Sequence, residues 1–489
     1  MPLPLALLAI ILVTLWSSWV SPPVTPYNYH RWVVMGALMV LWALAGWWHR
    51  RRVQAALVRS CAWTYSRPGG RWLALVACLL VLAAVLLSLA PWVALLELAH
   101  WIAFAMLVLI VAVSVRHASR FQWLLAGGMA VLLLLVYALI ALDSINFHWP
   151  IFTKMDATPG LANIRHFSDI AVGLMPLGLV YVVARGRLSV AVAFLTALPL
   201  GVWWYVLFLT EGRSGVLSLT LAILVAGMLF RRQALWPVAT LFLSALPALA
   251  AWWWLNPLRL SAPGIFSRDI TGTHDRLMLW GEAWQHAIEN FPLGIGPMGF
   301  AGDGIEDGYR ALAHAHNLFL NTAAEWGIPL TVLLLALALF GCWKIVERAR
   351  SMPETDQPLY ACLVMAFVGV MVNVQFSGGH IIPLSSLVMA LVIGLVFGFR
   401  GLNSLPSATL SPSQSASARP ALLWAAGMLV MAYLLFAGWS LYGLSVESTR
   451  LCNVELGRIR YFPRFWVQGR LECMRMLAPD HWLFWSWRG

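Results

Sequence analysis

Charge is scarce in this chain. Asp, Glu, Lys and Arg together make up 11% of its 489 residues, where an ordinary soluble domain carries roughly 25%. Hydrophobic residues make up 61% and the mean hydropathy is +0.78, so the composition excludes a soluble globular protein and implies an integral membrane protein. No segment is long enough to fold as a separate soluble domain. The N-terminus lacks the basic start and small-x-small cleavage site of a signal peptide, so its first apolar run reads as a span. No internal repeat is evident, which weakens an inverted-repeat transporter. Few spans carry ionisable residues near their middles, where a transporter or flippase needs them. Glu97 and His100, three residues apart near the outer end of one span, are the main exception and read as a local pair or as cavity wall.

Long apolar runs are what the chain has instead. About thirteen windows are long enough to cross the roughly 30 Å hydrocarbon core as helices. They lie near 3–20, 32–49, 71–89, 93–113, 121–142, 168–184, 188–209, 214–230, 234–255, 328–346, 358–377, 381–399 and 420–444. The expected fold is therefore all-α, a polytopic membrane protein of about 12–13 transmembrane helices. Four regions follow: an N-terminal membrane bundle (1–255), an outer loop carrying amphipathic helices (256–327), C-terminal membrane helices (328–444) and an interfacial tail (445–489).

Basic residues give the orientation. With the N-terminus inside, the six inner loops hold 17 of the 32 Lys and Arg residues, the longer outer loops 8 and the tail 7. The formal charge of +12 is thus a topology signal and calls for no nucleic acid. The long loops 143–167 and 256–327 face outward, and so does the tail, although its basic residues mildly resist that placement. If the tail meets an oxidising compartment, Cys452 and Cys473 are the cysteines able to pair there. Its Trp466, Trp482, Trp485 and Trp487 suit a segment lying against the membrane. Residues 403–420, rich in Ser and Pro, read as a cytoplasmic linker.

Polar residues gather on the outer side, in "ANIRHFSD" (162–169), "TEGRSG" (210–215), "THDRLMLWGEAW" (273–284) and "HAHNLFLNTAAEWGIPL" (314–330). Arg213 stands in a glycine-flanked turn between two spans; it is either a snorkelling arginine or a planar cationic fork for phosphate oxygens. Residues 273–290 form an amphipathic helix with Leu277, Trp280, Trp284 and Ile288 at helical spacing. Arg276 falls in its first turn, where the helix dipole disfavours a cation. It either pairs with Asp275 or Glu282, or helps the helix N-terminus to hold an anion. "NFPLGIGPMGF" (290–300) is an irregular glycine- and proline-rich turn; no strand precedes it, so it is not a dinucleotide loop. Asn317 caps the next helix and leaves His314 and His316 just ahead of it. These two lack the i, i+4 spacing of a helical zinc site and have no convincing third ligand. They are either helix-end histidines bonded to loop carbonyls or, with a pKa near 6.5, an acid–base centre.

As a set, "DRLMLWGEAWQHAIENFPLGIGPMGF" and "HAHNLFLNTAAEWGIPL" resemble the central region of the O-antigen ligase and polymerase superfamily, which also includes the protein O-oligosaccharyltransferases. The residues that fit its pattern are Arg276, Trp280, Trp284, Pro292, Gly294, Gly296, Pro297, His316, Asn317, Glu325, Gly327 and Ile328, and "EGRSG" adds Arg213. The resemblance covers about 120 residues and implies a GT-C-like inverting glycosyltransferase of the bacterial inner membrane. Such an enzyme moves a glycan from undecaprenyl diphosphate to an acceptor hydroxyl at the periplasmic face, with no cofactor and no metal. It implies that His316, with His314 as a less secure neighbour, is the catalytic base or the residue that orients the acceptor, that Arg213 and Arg276 bind the diphosphate, and that Arg165 and His166 lie near the site. The implied partners are the lipid-linked donor, membrane lipids and an acceptor, which is lipid A-core, a second lipid-linked glycan or a protein such as a pilin. The absence of a large outer domain favours lipid A-core and hence an O-antigen ligase.

Overall fold

The computed structural model describes residues 2–20, 30, 33, 34, 36, 68–116, 118–149, 153–161, 163–186, 190–255, 274–302 and 314–402, with single positions between 427 and 444, residue 475 and residues 478–485. They are almost wholly helical, with no strand among them. The helices are α1 (Pro2–Val20), α2 (Pro68–Leu86), α3 (Pro91–Val115), α4 (Arg120–Phe147), α5 (Ile164–Arg185), α6 (Val190–Leu209), α7 (Arg213–Phe230), α8 (Leu235–Leu255), α9 (His274–Glu289), α10 (Leu318–Trp326), α11 (Ile328–Ser351), α12 (Gln357–Asn373) and α13 (Pro383–Gly398). The chain is an all-α polytopic membrane protein. Six stretches among the described residues are long and apolar enough to cross a bilayer, and one of them, Arg213–Leu255, contains two helices, α7 and α8, that pack on each other across a 3-10 turn. Four shorter apolar helices accompany them: Pro4–Leu15, Phe194–Leu209, Gln357–Asn373 and Pro383–Gly398. The expected span near 32–49 and most of the one near 420–444 lie outside the described residues, as do Cys452, Cys473, Trp466, Trp487 and the linker 403–420.

Local chemistry sets the helix ends. Ser119 and Gln122 form a reciprocal capping box that starts α4. Asn163 accepts the Arg165 N–H to start α5, and Gly186, at φ +71°, ends it in the left-handed conformation. Packing then follows from small residues, because lipid gives helices no hydrophobic reason to associate and close backbone approach must do so. A Cβ at Gly127 would strike the Tyr181 backbone where α4 crosses α5, and one at Gly369 would meet the Val172 carbonyl where α12 crosses α5.

These crossings make α5 the centre of the bundle. It packs against α4, α6, α7, α8, α12 and α13 and is buried along most of its length, whereas α2 and α11 expose most of their apolar side chains at the periphery. At its first turns Phe167 joins Tyr137 and Trp203 in a buried aromatic cluster with centroids 4.9–5.7 Å apart. The Tyr137 hydroxyl donates to Pro159 O at 3.2 Å and ties segment 153–161 over the end of the bundle. Helices α12 and α13, of 17 and 16 residues, rise only about 24–26 Å at 1.5 Å per residue, short of the roughly 30 Å core. Being enclosed, they meet no lipid mismatch, and the loop between them sits within the protein: Asn373, Ser377 and His380 are all buried.

The two ends of the bundle carry different arginines. At one end Arg348 donates to Phe397 O at 2.9 Å, Arg120 donates to Ala184 O at 2.7 Å, and Arg400 lies within electrostatic reach of Arg348 and Arg116. These cations cap helix C-termini, whose exposed carbonyls favour them. They belong to the loops expected inside. At the other end stand Arg165, Arg213 and Arg276. Residues 478–485 also come to this end: the 3-10 turn Trp482–Phe484 packs on the start of α3, with Trp482 edge-on to Trp92 at 6.0 Å and its indole N–H donating to Ser440 Oγ.

Candidate active site

Three separate elements bring the arginines together. Arg165 is in the first turn of α5, Arg213 is the first residue of α7 and Arg276 lies in the first turn of α9. The α7 start is pressed onto α5, because Gly212 and Gly215 both back onto the Ser168 side chain, where a Cβ would crowd it. The turn is held further by Glu211, at φ +53°, whose carboxylate pairs with Lys154 at 2.7 Å. Arg213, Arg165 and Arg276 therefore share one field. Burial, followed by the Arg165 and Arg213 charges, lowers Arg276 below the usual guanidinium value. Three cations at the N-terminal ends of three helices repel one another and add to positive dipole ends, an arrangement that an anion relieves.

The histidines stand in the same field. His316 sits at φ +52°, a left-handed conformation uncommon outside glycine, and His314 Nε2 lies 3.2 Å from its Nδ1. Burial, and then the Arg165 and Arg276 charges, push the His316 imidazole down to about 3. This departs from the near-neutral value expected from sequence alone, which counts neither desolvation nor the arginines that only the fold brings near. His316 is therefore neutral at physiological pH and can accept a proton. When its Nδ1 hydrogen points to His314 Nε2, its Nε2 lone pair is the one available.

The support for this pair comes from the helix that follows. Asn317 caps α10 by accepting the Leu320 N–H at 2.9 Å, and its amide donates to Gln375 O at 3.2 Å. Asn321 accepts the Ala315 N–H at 3.1 Å and donates to Glu325 Oε2 at 3.0 Å, while Glu325 Oε1 accepts the Phe300 N–H at 3.2 Å. Glu325 thus joins the 290–300 turn to the backbone between the two histidines. The same turn seats against α10: Ile295 N donates to Ala324 O at 2.8 Å, and a Cβ at Gly294 or Gly327, both at positive φ, would run into backbone carbonyls.

One expected feature sits differently. On α9, Trp280 turns inward to Phe376, with centroids 6.4 Å apart, while Leu277, Trp284 and Ile288 remain exposed. The apolar residues thus divide between a protein-facing and an outward stripe, since α9 packs against α10 along its buried side. His166, one residue from Arg165, is buried and lies within electrostatic reach of His30, whose ring bonds to the Gly160 backbone. Glu97 accepts the Trp101 indole N–H at 3.1 Å and, like His100, is buried on α3. Among the described residues no group of three His, Cys, Asp or Glu side chains is placed to hold a metal ion.

Sequence reasoning passed over a buried polar group behind the histidines. Asp169 Oδ1 accepts the Asn373 amide at 2.6 Å; that amide also reaches Ser377 Oγ at 3.1 Å, which accepts the Gly379 N–H at 3.3 Å. His380 lies beside His314 with ring centroids 6.4 Å apart. The readable signal was Asn-x-x-x-Ser-Gly-Gly-His ending an apolar run, but nothing in it names the partner 204 residues away.

Residues 194–335 match the family model described as O-antigen ligase. The matched region contains Arg213, Arg276, His314 and His316 and is similar to the O-antigen ligase-like superfamily; Arg165, Asp169 and Asn373 lie outside it. No curated protein matches the chain.

Proposed function

We propose that this chain is an inverting glycosyltransferase that moves a glycan from undecaprenyl diphosphate to an acceptor hydroxyl at the periplasmic face of the bacterial inner membrane, and that it is an O-antigen ligase with lipid A-core as acceptor. The observation that carries the reading is the convergence of Arg165 and Arg276 on a neutral His316 at one end of the bundle, with Arg213 in the field of Arg276. The acceptor oxygen attacks the anomeric carbon from the face opposite the diphosphate. As the new C–O bond forms, the sugar–diphosphate C–O bond breaks, its electron pair leaves on the diphosphate oxygen, and the acceptor proton passes to His316 Nε2. The guanidiniums take up the charge growing on the leaving group, a stabilisation that acts most strongly in the transition state. Their fixed forks suit phosphate oxygens without a metal ion. A lipid-anchored donor accounts for the depth of the site, since its tail stays in the bilayer while its head group meets helix ends.

The test is to incubate purified protein with undecaprenyl-diphosphate-linked glycan and, in parallel, lipid A-core, a second lipid-linked glycan and a pilin-like peptide. Transfer to lipid A-core that is lost in His316→Ala and Arg276→Ala supports the reading. Transfer to either other acceptor reassigns the chain to a polymerase or a protein transferase. Folded protein that binds the donor yet consumes none with any acceptor refutes the enzymatic reading in favour of a transporter or scaffold.

A further inference from the structure

His316 needs its ring held, because a neutral imidazole on a left-handed backbone has no covalent reason to present Nε2 to a substrate. His314 provides one contact, through Nε2 at 3.2 Å from His316 Nδ1. What packs on His314 lies on the loop between α12 and α13. Gly378 packs against the His314 ring, so closely that even a Cβ there would overlap its Nε2. The loop bearing Gly378 is fixed from behind: Ser377 Oγ receives the Asn373 amide and the Gly379 N–H, and Asn373 is itself anchored at 2.6 Å on the buried carboxylate of Asp169. Gly379 closes over that carboxylate, its Cβ position 3.4 Å from Asp169 Cγ.

Resting on the glycosyl-transfer reading above, we propose that Asp169, Asn373 and Ser377 are positioning residues that hold the Gly378 backbone against His314, and thereby fix the ring orientation and tautomer of His316. The chain of contacts runs from the centre of the bundle to the catalytic base without touching substrate. A shift of about 1 Å at the end of such a chain costs up to ~100-fold in rate while leaving the diphosphate contacts alone.

The experiment has two readouts on the purified full-length protein. The first is kcat and donor KM with the acceptor that the wild type uses, for Asp169→Ala, Asp169→Asn and Gly378→Ala. The second is the 15N imidazole spectrum in membranes, with His316 assigned by its loss in His316→Gln. We expect Asp169→Ala and Gly378→Ala to lower kcat ~10- to 100-fold with donor KM little changed, and to move the His316 nitrogen resonances. Asp169→Asn, which still offers Asn373 a carbonyl acceptor, should recover most of kcat. Unchanged kcat and unchanged His316 resonances in both disruptive variants would overturn the proposal. So would a parallel loss in donor binding, or an Asn variant as impaired as Ala. If the wild type turns over no donor, the transferase reading fails on its own and the nitrogen spectra still decide this one.

Discussion

His314 Nε2 and His316 Nδ1 lie 3.2 Å apart, and the one-residue spacing allows this only because His316 adopts a positive φ. An extended His-Ala-His segment would send the two rings to the same side without turning one nitrogen to the other. The strained residue is therefore the one the proposed chemistry uses, and the strain is offset by the bonds that Asn321 and Asn317 make on either side of it.

Removing the base should be costly. His316→Ala is expected to lower transfer ~100- to 10,000-fold, the usual range for a general base, with donor binding retained in a direct binding assay. His314→Ala should lose less, since water can replace part of its contact with His316.

The pH dependence has a definite sign. In the free protein the His316 pKa is near 3, so the base is already neutral above about pH 4 and kcat/KM should not fall on its account between pH 5 and 8. A bound diphosphate places negative charge beside Arg165 and Arg276, weakens their effect on His316 and raises its pKa. The acid limb of kcat should therefore lie at higher pH than that of kcat/KM. Coincident limbs in the two profiles would speak against an anion binding beside His316.

In the proposed reaction Arg276 and Arg213 act by geometry as well as charge. Replacing either by Lys keeps the charge and loses the fork, and should still cost about 1–2 kcal/mol in kcat/KM, roughly 5- to 30-fold. Arg276→Gln should in addition raise the His316 pKa in the free protein, measurable by 15N titration, because one of the two charges depressing it is gone.

The 290–300 turn should be intolerant of side chains. Gly294→Ala and Gly327→Ala both place a Cβ against backbone at a positive φ, and each is expected to destabilise by about 1–3 kcal/mol and to lower the melting temperature in detergent. Glu325→Ala should do so to a similar degree by leaving the buried Asn321 amide and Phe300 N–H without their acceptor.

Orientation can be read by labelling. Single cysteines at Lys154 and at Trp485, on the site end, should react with a membrane-impermeant maleimide added outside intact spheroplasts. One at Arg350, at the opposite end, should react only after permeabilisation. The reverse pattern would invert the topology and move the site to the cytoplasmic face.

The sequence by itself determined a good deal of this protein. Scarce charge and long continuous apolar runs dictate membrane helices, because within a bilayer a single apolar run satisfies its own backbone hydrogen bonds only as a helix. The Asn317 cap is local and was readable as a helix start, and the glycine-rich turn and its neighbouring His, Arg and Glu residues were readable as a motif. Tertiary structure alone decided the rest. It brought Arg165 of α5 beside Arg276 of α9, turned Trp280 inward on a helix whose periodicity suited either face, and depressed the His316 pKa first by burial and then through charges far away in the chain. It also joined Asp169 to Asn373 across 204 residues. Hydropathy, periodicity and capping act within a few residues, whereas burial and electrostatics depend on distances that exist only after the helices have packed.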